Sequence, residues 1–452
     1  MKKCKILMPI GGLGAGINQQ AFDNGMAMGP DAIAIDAGST DSGPAFLATG
    51  MTKYARGMIK NDLAIAVRGA RSADIPLFVG SCGTCGTDNM VDLYAEIVKE
   101  VCEAEGLKGK IAKIYSQQTA DTLKAKWDEG KIHPLEGAPD ISRATFDECA
   151  NIVAVLGAEP FIEAYVNGAN IVLAGRSTDT AIIAALPLHM GCDPGAAWHG
   201  AKTVECGAQC ADKSDGMGVF LVVDEAGFEV RPLLPDARCT PYTVAAHLLY
   251  ENADPFRMRE PAGTLLTGDA VYTQIDDCTT RVTGTKFEYA DQYTMKLEGA
   301  AAVGYQNISL IGVTNRKVLA DPENWVRNMS EYTRKLIDKA GIRREDYSFN
   351  FKLYGYNAVI EGPVPQGTPP PREIGALLTV TAKTQELATQ VAKVFNPILL
   401  HFPADFNDTM PSFAFPFSPV DCPRGATYEF KLYHVMDVAN PMELVRIEYS
   451  QV

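Results

Sequence analysis

Asn170-Ile171-Val172-Leu173-Ala174, apolar from Ile171 onward, passes straight into Gly175-Arg176-Ser177-Thr178-Asp179. A short run of this kind, rich in β-branched residues and ended by glycine, reads as a strand buried on both faces of a parallel sheet. The polar residues after the glycine suit the start of a helix, with Ser177 or Thr178 as its N-cap.

The same junction recurs toward the N-terminus. Lys5–Ile10 reads as a strand entering Gly11-Gly12-Leu13-Gly14-Ala15-Gly16. Ala32–Ile35 ends in Asp36-Ala37-Gly38-Ser39-Thr40-Asp41, and Pro76–Val79 ends in Gly80-Ser81-Cys82-Gly83-Thr84-Cys85-Gly86. Ile111–Tyr115 is a further strand. Before it, Tyr94, Ile97, Val98, Val101 and Cys102 share one face of a helix that Gly106 or Gly109 ends. Strands alternating with helices predict an α/β fold, a parallel sheet with helices on both faces. Ligands of such sheets bind beyond the carboxyl ends of the strands, which is where these turns lie.

At about 100–200 residues per domain, the 452 residues hold two to four domains. The alternating pattern fills residues 1–200, an α/β ligand-binding domain. Residues 201–320 change texture: Val219–Val223, Val271–Ile275 and Thr280–Thr283 read as strands, with a helix around Tyr242–Tyr250, which predicts an α+β domain. Residues 321–452 predict a C-terminal α+β domain. It has helices at Pro322–Ala340 and Gln385–Phe395, strands at Phe349–Tyr354 and Leu377–Thr381, and a proline-rich loop or lid at Pro363–Arg372.

A hydrophobic content of 46% with 21% charged residues supplies a large core. The net charge of −14 and the lack of a Lys/Arg run argue against nucleic-acid binding. No apolar run approaches the roughly 20 residues of a membrane span. Met1-Lys2-Lys3 before Ile6-Leu7-Met8 imitates a signal peptide, but Pro9, Gly11 and Gly12 break the run, so a first strand is expected. The 11 scattered cysteines read as reduced thiols of a cytoplasmic protein.

Four turns carry candidate chemistry. The first offers Gly12 and Gly14 amides to an anion at a helix N-terminus, or is a tight turn beside close packing. It is neither a P-loop nor a strict dinucleotide fingerprint. The second offers Asp36, Ser39 and Thr40, for acid–base work or as an Asx-turn. The third carries Ser81, Gly83 and Cys82-x-x-Cys85. With Cys206-x-x-x-Cys210 these thiols would suit zinc or part of an iron–sulfur cluster; the other reading is small cysteines filling tight space. The fourth places Arg176, a bidentate clamp for a carboxylate or phosphate, three residues before Asp179; the pair would equally fix its own loop. Glu159 and Glu205, each beside small residues, are further carboxylates, and two held apart could act as acid and base. The six histidines form no metalloprotease pattern; His247 lies near Glu251 and His199 near Glu205.

Taken together, several segments resemble the acyclic terpene utilisation AtuA-like family. They are Ala34–Ser39, Gly157–Ala164, Ala174–Ala181, Val204–Ala208, Leu249–Pro255 and Asp437–Arg446, spread over nearly the whole chain. The resemblance implies a role in catabolism of small or branched acids, often as CoA thioesters. After the third strand the family pattern leads one to expect a Gly/Asn-rich turn, whereas this chain has Cys82 and Cys85.

The expectation is a lyase of hydratase/dehydratase type acting on a small carboxylate or its acyl-CoA thioester. Asp36, Asp179 and Glu205 would move protons. Gly12, Gly14, Ser39, Thr40, Ser81, Gly83, Arg176, Ser177 and Thr178 would hold the anionic substrate. Two alternatives stand beside it: a non-catalytic metabolite-binding subunit of a hetero-complex, and a metal or iron–sulfur enzyme using Cys82, Cys85 and Cys206. A homo-oligomer is expected, with or without a small accessory subunit, and no nucleic-acid or membrane partner.

Overall fold

Five strands, three of them buried along their whole length, form the parallel centre of the protein. They are β1 (Lys3–Met8), β2 (Ala32–Asp36), β3 (Leu77–Gly80), β4 (Lys110–Tyr115) and β5 (Ile171–Ala174), in the order β1-β2-β3-β5-β4. The computed structural model describes residues 2–214, 218–250, 252–360, 362–407 and 409–452. Glu251, expected near His247, lies outside the described residues. Antiparallel strands extend the sheet at both ends: Val219–Asp224 pairs with β1, and Arg446–Gln451 pairs with β4.

Period-two alternation divides each strand between two cores. Cys4, Ile6, Ala34, Phe78, Val172 and Ala174 face one; Leu7, Ile33, Ile35, Val79, Ile171 and Leu173 face the other. Helices Gln19–Ala27, Arg56–Ala73 and Asp88–Glu105 close the second core. Helices Glu159–Val166, Ala181–Met190 and Pro194–Val204 close the first. The α/β reading therefore holds, with strand limits within two residues of those expected.

Two local expectations change. The helix after β5 starts at Ala181 rather than at Ser177 or Thr178, with Thr180 as its cap residue and no side-chain capping bond there. The turn is thus longer than the glycine signal suggests, and Thr178 still bonds the helix start, accepting from Ala181 N at 3.2 Å. Thr294–Val313, a 20-residue strand, is absent from the sequence expectation.

The chain divides into two compact units, Met1–Ala301 with Phe430–Val452, and Ala302–Glu429. In the second, Tyr347–Tyr354, Ile374–Ala382 and the later part of Thr294–Val313 form an antiparallel sheet. Helices Pro322–Lys339 and Gln385–His401 cover it around a core that includes Trp325, Met329, Leu378 and Phe395. Pro363–Arg372 is an irregular stretch between two of its strands.

Candidate active site

The insertion of β5 between β3 and β4 brings the turns after β2, β3 and β5 side by side. Their backbones touch. A Cβ added to Gly38 would lie 2.4 Å from Thr84 Cα, and one added to Gly86 only 1.9 Å from Arg176 N. Only glycine allows that approach. Ser81 and Thr84 adopt left-handed backbone, φ +49° and +83°, a cost that recurs at functional sites.

Arg176 is the hub. It is 8% exposed. Its Nε donates to Glu298 Oε2 at 3.0 Å, and its Nη1 donates to Ser81 Oγ at 3.0 Å, Ser177 O at 2.8 Å and Asp179 Oδ1 at 3.4 Å. Glu298, 3% exposed, accepts from Lys296 Nζ at 2.9 Å and from the Thr40 hydroxyl at 3.3 Å. Burial pushes the Glu298 carboxyl up, but Arg176 and Lys296 outweigh it and pull its pKa down to about 2.

Four further carboxyls shift the other way. Glu205 is pushed up to about 8, first by burial and then by Asp179, against the pull of Lys202, which donates to its Oε1. Glu260 is pushed up to about 7 by burial, with the Thr180 and Thr178 hydroxyls opposing. Asp36 is raised by burial and by Asp179, Asp179 by burial against Arg176 and Lys202. Three buried oxygens in this cluster, Asp36 Oδ1, Ser177 Oγ and Glu260 Oε2, have no protein partner. A buried oxygen without a protein partner is satisfied by water or by a ligand.

Thr178, Glu260 and Lys296 also line a cavity of about 560 Å³, with Arg257, Arg259 and Tyr433 among its other walls. The cluster thus has a face that a ligand can reach. It can hold a proton on several carboxyls near neutral pH while keeping one carboxylate charged, the division of labour that acid–base chemistry uses.

The structure brings together Asp36, Thr40, Ser81, Arg176, Ser177, Thr178, Asp179 and Glu205. It does not bring in the first turn's amides as expected. Gly14 N and Ile17 N each donate to the buried Asp62 at 2.8 Å, and Gly16 N at 3.1 Å. The anion at this turn is the protein's own carboxylate, and Gly12 lies against Tyr54. Ser39 donates to Asp41 at 2.7 Å, and Gly83 packs on Met90. Glu159 accepts from the Tyr293 hydroxyl at 2.6 Å. His199 is buried against Phe228 and Tyr272, and burial holds its pKa down to about 3.

The cysteines do not fit a metal. Among the described residues no three His, Cys, Asp or Glu side chains gather in a ligand set. Burial pushes the Cys82 thiol far above its ordinary range and Cys85 up to about 12. Lys202, Glu260, Lys296 and Glu298 were not anticipated. For the last pair a signal existed: Thr294, Lys296 and Glu298 alternate with buried Met295 and Leu297, a half-buried strand with charge on one face.

A protein-family model described as "Acyclic terpene utilisation family protein AtuA" matches residues 51–213 and 235–418. Those segments contain Arg176, Asp179, Lys202, Glu205, Glu260, Lys296 and Glu298, whereas Asp36 and Thr40 precede them. No curated protein and no solved structure matches the chain. No helix among the described residues is long and apolar enough to cross a membrane. With most of its length matched, the chain belongs to the acyclic terpene utilisation AtuA family, whose description ties it to a catabolic role.

Proposed function

We propose that this chain is a catabolic enzyme acting on a small carboxylate or its CoA thioester, and that its reaction is of lyase type, a hydration or dehydration. The observation that carries this reading is the split among neighbouring carboxyls: Glu298 ionised with a pKa of about 2, Glu260 and Glu205 at about 7 and about 8. Dehydration needs one group to take a proton next to a carbonyl and another to protonate the departing hydroxyl.

In this reading ionised Glu260 takes the α-proton through its unpartnered Oε2. The C–H electron pair becomes the new C=C bond as the β-carbon–oxygen bond breaks. The oxygen leaves as water with a proton from the Thr178 hydroxyl on the cavity wall, which Asp179 or Glu205 behind that wall replenishes, and hydration runs the same path backward. Lys296 on the cavity wall faces the charge that develops on the carbonyl oxygen. Thr178 is the expected substrate-binding residue that lies on that wall. Arg176 does not line the cavity, so its part is to position Glu298 and Asp179, with Asp36, Ser81 and Ser177 behind it.

The test is a thermal-shift screen of hydroxy acids, unsaturated acids and their CoA thioesters, followed by an assay for double-bond formation. A ligand at 100 times its Kd stabilises the fold by about 2.7 kcal/mol. Asp179→Asn and Glu205→Gln, each still folded, are expected to lose on the order of 100-fold or more in turnover. Full activity in both overturns the proposal. A ligand that binds and is never turned over favours the metabolite-binding subunit instead.

A further inference from the structure

The cavity is far larger than the carboxylate end of a small acid requires, and its outer wall has its own chemistry. Arg257 and Arg259 lie two residues apart on the strand Arg257–Glu260, so they share one face. Thr264 sits directly across from Arg259 on the neighbouring strand and lines the same wall. Met258, between the two arginines, is buried on the other side. Both arginines are exposed, and neither has an ion-pair partner among the described residues. Glu288 shares their face two strands away and makes no ion pair with either among the described residues. Lys286, next to it, is already paired with Asp269 at 2.8 Å. On the inner side, Lys296 is held 4.8 Å from the Tyr433 ring centre.

In a chain of net charge −14, with Lys296 already paired with Glu298 at 2.9 Å, the two unpaired guanidinium groups on this wall form a local field of the opposite sign. We propose that Arg257 and Arg259 form a second, distal oxyanion subsite, which anchors a phosphate or carboxylate at the far end of an elongated substrate whose reacting end lies at Glu260 and Lys296. Guanidinium groups grip such oxyanions bidentately. Leu135, Val155 and Val435 also line the cavity and suit an apolar connecting chain. This inference rests on the reading of the site as one for a carboxylate or its thioester.

The double variant Arg257→Gln/Arg259→Gln tests it, because both side chains are exposed and their loss leaves no buried charge. The control is Lys335→Gln/Lys393→Gln, two exposed lysines outside the cavity wall. Binding is measured by calorimetry for a CoA thioester, for the same acyl group on a phosphate-free thiol, and for a linear dicarboxylate. The arginine variant is expected to bind at least one of the two anion-bearing ligands tenfold or more weakly, with little change for the phosphate-free thioester. The CoA arm and the dicarboxylate arm identify which oxyanion the subsite takes. Equal affinities in the arginine variant and the parent overturn the subsite. Binding is read without turnover, so this outcome is distinct from failure of the lyase reading, which leaves affinities intact and removes only the reaction.

Discussion

Glu205 and Glu298 have opposite effects on stability as pH changes. Glu205 is raised from 4.5 to about 8, so between those values the folded protein keeps a proton that the unfolded chain has lost. Its contribution to stability is fully present below about 4.5 and declines as pH rises to about 8. Glu298 is lowered from 4.5 to about 2; its contribution is present above about 4.5 and is lost as pH falls toward 2. Glu205→Gln is therefore expected to flatten the fall in melting temperature between about pH 5 and 8, with no effect on the acid side. Melting curves across pH check this, and an unchanged neutral-side slope would show that Glu205 is not the proton holder. At this scale the sequence reading reaches Arg176 and Asp179, three residues apart on one turn. It cannot reach Glu298, which meets Arg176 from 122 positions away.

The turns after β2, β3 and β5 work as one element. Glycine-rich turns read from sequence as amides for an anion, and at the turn after β1 the amides do meet one, the internal Asp62. At the later turns the stronger reason for glycine is the approach of backbone to backbone. Gly86→Ala would set a Cβ 1.9 Å from Arg176 N, at a φ of +64° that already disfavours a side chain. It is expected to cost about 3 kcal/mol or more, at the upper end for overpacking, and to weaken ligand binding by moving Arg176. Urea unfolding measures the first and a thermal-shift titration the second; a loss below about 1 kcal/mol, the ordinary effect of a point substitution, would mean the turn yields freely. The strand Thr294–Val313 is the other decisive element. Its alternation is visible in the sequence, but nothing local says that its charged face turns inward.

The molecule consists of two units with separate cores. Each unit is expected to unfold in its own cooperative transition, so calorimetry is expected to give a measured enthalpy above the van't Hoff value. A substrate that binds the Arg176 cluster should shift the transition of Met1–Ala301 with Phe430–Val452 and leave that of Ala302–Glu429 in place. One two-state transition, shifted as a whole, would contradict this. By itself the sequence determined the parallel strands, their order of appearance and the turns that carry Asp36, Ser81, Arg176 and Asp179, because periodicity, glycine stops and strand ends are local properties of the chain. Only the tertiary structure decided which of those turns share a site, that Asp62 occupies the first, and that Lys202, Glu260, Lys296 and Glu298 complete the cluster. Those outcomes depend on β5 entering the sheet between β3 and β4 and on contacts between residues 48, 80, 122 and 258 positions apart, and burial there sets which carboxyls keep their protons.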